Sequence, residues 1–115
     1  MVKIETSSIN IKDQKIFVQV TSFNKQKLIY FSDNSLRFDN LTCALNGTDD
    51  VLLKDVIDNS QEEVSPILNN LSRYYCKKLA LPVFISFNFT LRSEGDYFLF
   101  IKQAKECLNK LLEIN

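Results

Sequence analysis

Histidine is absent from the 115 residues. That removes the commonest general base, the base of hydrolase triads and the commonest metal ligand together. Glycine and proline number two each. This is too few for a loop-dominated or disordered chain, and two glycines cannot build a phosphate-cradling loop. Neither sign of charge is in excess, since Lys+Arg and Asp+Glu both total 14. Composition therefore gives no electrostatic reason to expect nucleic acid or an anionic membrane as partner. No apolar run approaches the ~20 residues of a membrane span, and the stretch MVKIETSSINIKDQ lacks the apolar centre of a signal peptide.

Cysteine is sparse as well. Cys43, Cys76 and Cys107 are widely spaced, with no C-x-x-C pair, and a structural zinc would lack an obvious fourth ligand. An odd count without a pattern fits reduced, mostly buried thiols in the cytoplasm or nucleus. No metal and no cofactor are expected. Four N-x-[ST] triplets, at Asn40, Asn46, Asn70 and Asn88, are read as incidental in an Asn-rich chain.

What is present is a good deal of apolar sequence, 45% of the chain against 24% charged, ordinary for a globular protein. The length predicts one domain over residues 1–115. Residues 1–14, polar with isolated isoleucines, read as a loose arm or an edge strand. Lys15 to Phe23 predicts a strand with Ile16, Val18 and Val20 on one face and Phe17, Gln19, Thr21 and Phe23 on the other. A short polar link and a second strand, Leu28 to Ser32, complete an antiparallel hairpin. Asp33 to Asp39 reads as a turn-rich link. Asn40 to Asn46 is a third strand, with Leu41, Cys43 and Leu45 expected inward and Thr42 and Ala44 outward. Val51 to Ile57 reads as a fourth strand or a short helix, since Val51, Leu53 and Val56 fit neither period well, and Asp58 to Val64 reads as an acidic surface loop.

Ser65-Pro66 is a helix start, serine as cap and proline in the first turn. Ile67, Leu68, Leu71, Tyr74, Tyr75 and Leu79 follow as one stripe, and Pro82 ends the helix. Val83, Ile85, Phe87, Phe89 and Leu91 then alternate with Phe84, Ser86, Asn88, Thr90 and Arg92 in a central strand. A last helix starts within Ser93 to Asp96 and buries Phe100 or Ile101, Ala104, Cys107 or Leu108, and Leu111. This order predicts an α+β domain: an antiparallel sheet of about five to six strands with two helices on one face.

No arrangement of residues points to catalysis. Asp49-Asp50 and Glu62-Glu63 lack the spacing of a calcium loop, and no serine sits in a nucleophile elbow. Cys76, beside Tyr75 and two lysines, could be an activated thiol or a packed helix residue. Phe17, Phe23 and Phe84, with Gln19, Thr42, Ala44 and Ser86, fall on the sheet face away from the helices. An apolar patch there would mark a protein partner, unless the N-terminal arm covers it.

Val83-Phe84-Ile85-Ser86-Phe87-Asn88, followed by the polar turn Arg92 to Asp96 and the helix Phe98 to Leu112, resembles the proteasome assembly chaperone 4 family. Asn40-Leu41-Thr42-Cys43-Ala44-Leu45 is similar to that family's N-L-x-x-A-[ML] strand, and the hairpin Phe17 to Phe31 and the helix around Ile67 to Leu71 follow its order. The resemblance implies a non-enzymatic chaperone that pairs with a related chaperone-3-type subunit and binds proteasome alpha subunits as the alpha ring assembles. A homodimer is the alternative expected for the chain alone. The interface residues expected are Phe17, Gln19, Phe23, Thr42, Ala44, Phe84 and Ser86. Two readings from other classes stand beside it: an adaptor module unrelated to the proteasome, and a small thiol enzyme using Cys76.

Overall fold

The structure is a computed structural model that describes residues 2–33, 40–47, 51–58 and 66–114. Of the expected links Asp33 to Asp39 and Asp58 to Val64, all but Asp33 and Asp58 lie outside the described residues, as do the acidic pairs Asp49-Asp50 and Glu62-Glu63 and the expected cap Ser65, and Asp58 ends a strand rather than starting a loop. Eight elements follow in order: β1 (Lys3–Ile11), β2 (Gln14–Ser22), β3 (Lys27–Ser32), β4 (Asn40–Asn46), β5 (Val51–Asp58), α1 (Pro66–Leu79), β6 (Val83–Asn88) and α2 (Glu94–Leu111). The segment read as a loose arm or an edge strand is β1, at the margin of the sheet, and the ambiguous stretch from Val51 is a strand.

The six strands form one sheet in the order β1-β2-β3-β6-β4-β5. β1, β2 and β3 are an antiparallel meander, β4 and β5 an antiparallel hairpin, and β6 enters between them. It runs antiparallel to β4 but parallel to β3, in the register Ile29↔Ile85 and Phe31↔Phe87. The sheet is thus mixed and mostly antiparallel. The parallel pair has a plain cause: α1 carries the chain back over one face before β6 begins, and such a crossover returns a strand in its original direction.

Both helices cover that face. α1 lies over β4, β5 and β6, α2 lies along β1, and the helices touch each other. Ile16, Val18, Val20, Ile29, Phe31, Val83 and Ile85 from the sheet meet Leu71, Tyr75, Cys76, Phe100, Ala104 and Leu108 from the helices. Phe31 stacks on Phe87 with centroids 5.5 Å apart, and the edges of Phe89 and Phe100 close on the pair. Offset and edge-on aromatic packing of this sort adds roughly 0.5–1.5 kcal/mol per pair to area burial. Tyr75, at the α1–α2 contact, places its hydroxyl 2.8 Å from Asn109 Oδ1, so its polar tip is satisfied where its ring is buried.

The helix ends follow sequence chemistry. Ser93 caps α2, its hydroxyl accepting the Asp96 N–H at 3.2 Å, with Glu94 and Asp96 in the first turn. Pro66 opens α1 and Lys77 and Lys78 close it. Lys12 turns β1 into β2 with φ 58°, and its ammonium lies 2.9 Å from the buried carboxylate of Asp96. Gln14 Nε2 donates to the Thr90 carbonyl at 3.0 Å. Together these contacts tie the first hairpin to the start of α2.

Candidate functional site

The face of the sheet opposite the helices is built from the alternate residues of the same strands. Register places Thr21, Leu28, Phe84 and Cys43 side by side across four strands, with Lys54 next on β5. The row beside it holds Gln19, Tyr30 and Ser86, and the next holds Phe17, Ser32 and Asn88. Ile4 extends the first row onto β1, and Leu45 pairs with Leu52 at the far side. Of the large apolar side chains that are exposed, Ile4 (60%), Phe17 (42%), Leu45 (37%) and Leu52 (61%) all belong to this face. Leu28, Tyr30 and Phe84 between them are half-buried. Lys15 holds its ammonium 5.2 Å from the Phe17 ring centroid. A hollow of about 600 Å³ opens beside Phe17, Gln19 and Tyr30.

The seven residues expected at an interface separate into four groups. Phe17, Gln19 and Phe84 do lie on the open face. Phe17 and Phe84 do not touch, however: two strand spacings of ~4.8 Å and four residues of strand separate them, and Tyr30 stands between. Phe23 lies past the end of β2, half-buried in the turn where its N–H donates to the Gln26 carbonyl at 3.0 Å.

Thr42 and Ala44 are on the other side. They oppose Ile85 and Val83, so they share the helix-covered face and are buried. Leu41, Cys43 and Leu45, expected inward, point the other way. Alternation reveals that β4 has two faces but not which one meets the helices. The small Thr42 and Ala44 face inward because α1 passes closely there, its Cys76 thiol donating to the Ala44 carbonyl at 3.4 Å.

Ser86 faces away from the helices yet is fully buried, and it belongs to a polar network. Its hydroxyl donates to the Asn40 carbonyl at 2.5 Å and accepts from Asn88 Nδ2 at 2.7 Å. Asn88 Nδ2 also donates to the Phe31 carbonyl at 3.1 Å. The Asn40 amide takes both backbone groups of Phe87, accepting its N–H at 2.8 Å and donating to its carbonyl at 2.6 Å. The β4–β6 ladder runs from Thr42 to Ala44. Beyond it the Asn40 side chain does what another peptide group would do. The polar residues of both motif strands therefore knit β3, β6 and β4 together, and buried polar groups satisfied in this way specify register.

Cys76 is fully buried. Burial pushes its thiol up, and the nearby Cys43 adds to the shift. Cys43 is raised by burial too, opposed in part by Lys54. An activated nucleophile needs the opposite, a lowered thiol pKa and access, so the thiol-enzyme reading of Cys76 loses its residue. Among the described residues no group of His, Cys, Asp and Glu could hold a metal ion, and no helix is long and apolar enough to cross a membrane.

Residue pattern alone missed Ile4, Leu28, Tyr30, Leu45 and Leu52 on the open face. Strand β3 reads LIYF, apolar on both sides, which is itself the signal of a strand covered on two faces.

Neither a family model nor a curated protein matches the chain. Among solved structures, the fold is similar to a chain in the "Crystal Structure of a Novel Chaperone Complex for Yeast 20S Proteasome Assembly". The TM-score is 0.71 at 12% identity, over 99% of this chain and 98% of that one. At that identity the likeness is one of fold.

Proposed function

We propose that the chain is a non-enzymatic assembly chaperone that pairs through the open face of its sheet with a related, chaperone-3-type subunit. The pair binds alpha subunits while the alpha ring of the proteasome core particle forms. The observation that carries this reading is the near-complete overlay on a chain of a proteasome-assembly chaperone complex. The V-F-I-S-F-N and N-L-T-C-A-L strands support it, since they meet at the centre of the sheet.

The physics of the open face agrees with a like-folded partner. Ile4, Phe17, Leu28, Tyr30, Phe84, Leu45 and Leu52 give an apolar surface spread over six strands, which is the shape that a second sheet covers. Face-to-face packing of two such sheets buries on the order of 1,600 Å², the size of a specific complex. Thr42, Ala44 and Ser86 do not take part, because each is already buried within the chain.

Affinity capture from native lysate, read by mass spectrometry, tests the proposal. The expected result is one identified small chaperone of the same fold together with at least one proteasome alpha subunit. Capture of neither overturns it. Capture of a trafficking or secretion component in their place would favour an unrelated adaptor.

A further inference from the structure

The two margins of the sheet are guarded unequally. The sequence of β5 carries Lys54, Asp55 and Asp58, and its ladder with β4 shifts register between Leu41 and Thr42. Charges and irregularities of this kind discourage another strand from adding to an edge. β1 has neither over most of its length. It pairs with β2 without a break from Lys3 to Ile11, and Thr6 to Ile11 contains no charge and no proline. Thr6, Ser7, Ser8 and Asn10 are exposed. Among the described residues no strand pairs with the outer side of β1, which leaves a row of backbone donors and acceptors for an incoming chain.

α2 runs alongside this edge in the opposite direction. Lys12, just past the end of β1, bonds Asp96 in the first turn of α2 at 2.9 Å. Lys3, at the start of β1, lies 4.0 Å from Glu113 just beyond the other end of α2. Between strand and helix lies a groove of about 620 Å³, floored by Leu99, Cys107 and Leu111 and bordered by Lys102 and Lys110, with Glu106 between them. Eight residues separate the two lysines, about 12 Å along a helix axis. An extended chain advances ~3.3 Å per residue, so carboxylates four residues apart on one of its faces match that spacing. Glu106 selects against a third carboxylate in the middle.

We propose that the β1 edge and the α2 groove together bind an extended segment of another protein, added to the sheet as a further strand. That segment has acidic residues at positions i and i+4 facing Lys102 and Lys110, and an apolar residue at i+2 facing the groove floor. Main-chain bonds to β1 supply affinity, and the groove reads alternate side chains. The groove lies on the helix side of β1, and the hollow on the open face reaches the same strand at Thr6, Ser7 and Ser8; the proposal does not rest on the subunit pairing proposed above.

Cys107 is a built-in reporter, half-buried in the groove while Cys43 and Cys76 are buried elsewhere. The probe is a blocked nonapeptide of threonines with Val at its centre and Glu at its third and seventh positions. At about 2 mM it slows alkylation of Cys107 by iodoacetamide roughly fivefold and slows amide exchange over Thr6 to Asn10. The same peptide with Lys in place of Glu, or Pro in place of Val, leaves the rate within about a factor of two. With Lys102→Glu and Lys110→Glu together, the preference reverses and the Lys peptide protects. Unreactive Cys76 in the same digest reports that the variant is folded. Equal protection by all three peptides, no protection of the native chain by the Glu peptide, or protection confined to Phe17 and Phe84 overturns the proposal.

Discussion

Along β6, Val83, Ile85 and Phe87 face the helices, whereas Phe84, Ser86 and Asn88 face away from them. The first set is buried throughout by large side chains packed on large side chains. The second set divides along the strand. At one end Phe84 is half-buried among Leu28 and Cys43, and at the other Ser86 and Asn88 are sealed into hydrogen bonds with Asn40 and Phe31. One face of a sheet can therefore be interior at one end and a candidate surface at the other. Burial follows what covers each position rather than the face as a whole. The helix side holds the fold by apolar area, while the other side holds register by polar bonds and leaves apolar residues exposed.

Four measurements would break or sharpen that contrast. The largest effect belongs to the helix side: Phe87→Ala removes a stacked ring from the four-phenylalanine cluster and should cost about 3–5 kcal/mol in urea unfolding. A loss near zero would move the core elsewhere. Next is the buried polar end. Asn40→Ala leaves both backbone groups of Phe87 without their partner and should cost about 1–3 kcal/mol. A variant as stable as the native chain would make the network incidental.

The open end should respond differently. Phe84→Asp should change stability by about 1 kcal/mol or less yet, if the proposed pairing holds, prevent co-elution with a chaperone-3-type subunit on size exclusion. Normal pairing by a chain with both Phe17→Asp and Phe84→Asp would rule the face out. The smallest effect is a pH dependence. The buried Cys43 and Cys76 thiols are raised, and burial raises the Tyr75 phenol as well, with Tyr74 and Cys107 adding to it. Above about pH 8.5 the unfolded chain begins to lose protons that the folded chain keeps. Stability is then full below that pH and falls as pH rises toward the raised folded values. The urea midpoint under reducing conditions should drop between pH 7 and pH 10, and a flat profile would mean that water reaches these groups.

Much of the architecture was legible in residue order. The strands β2 and β3, Pro66 as a helix start, the start of α2 within Ser93 to Asp96 and its face through Ala104 all follow from local chemistry and period, whereas the choice of Phe100 over Ile101 and Leu108 over Cys107 as the buried residues does not. The orientation of β4 was not. Its apolar residues at Leu41, Cys43 and Leu45 alternate correctly, but only pairing with β6 decides which half meets α1. Val51 to Ile57 was ambiguous because strand pairing with β4, rather than its own pattern, makes it a strand. Ser86 looked like surface because a hydroxyl on a strand gives no sign of a partner 46 residues away in sequence.

Sequence by itself determined the class of the protein. Apolar periodicity, few glycines and prolines and well-marked helix starts require a sheet with two amphipathic helices against it, and the lack of histidine removes most familiar chemistry. Tertiary structure alone decided the parallel seating of β6 beside β3, the side that β4 turns to the helices, and the division of the other face into a sealed polar end and an open apolar one. The physical reason is that period and propensity are properties of neighbours along the chain. Side, register and cover are set by residues far along it, and they exist only once the strands have paired.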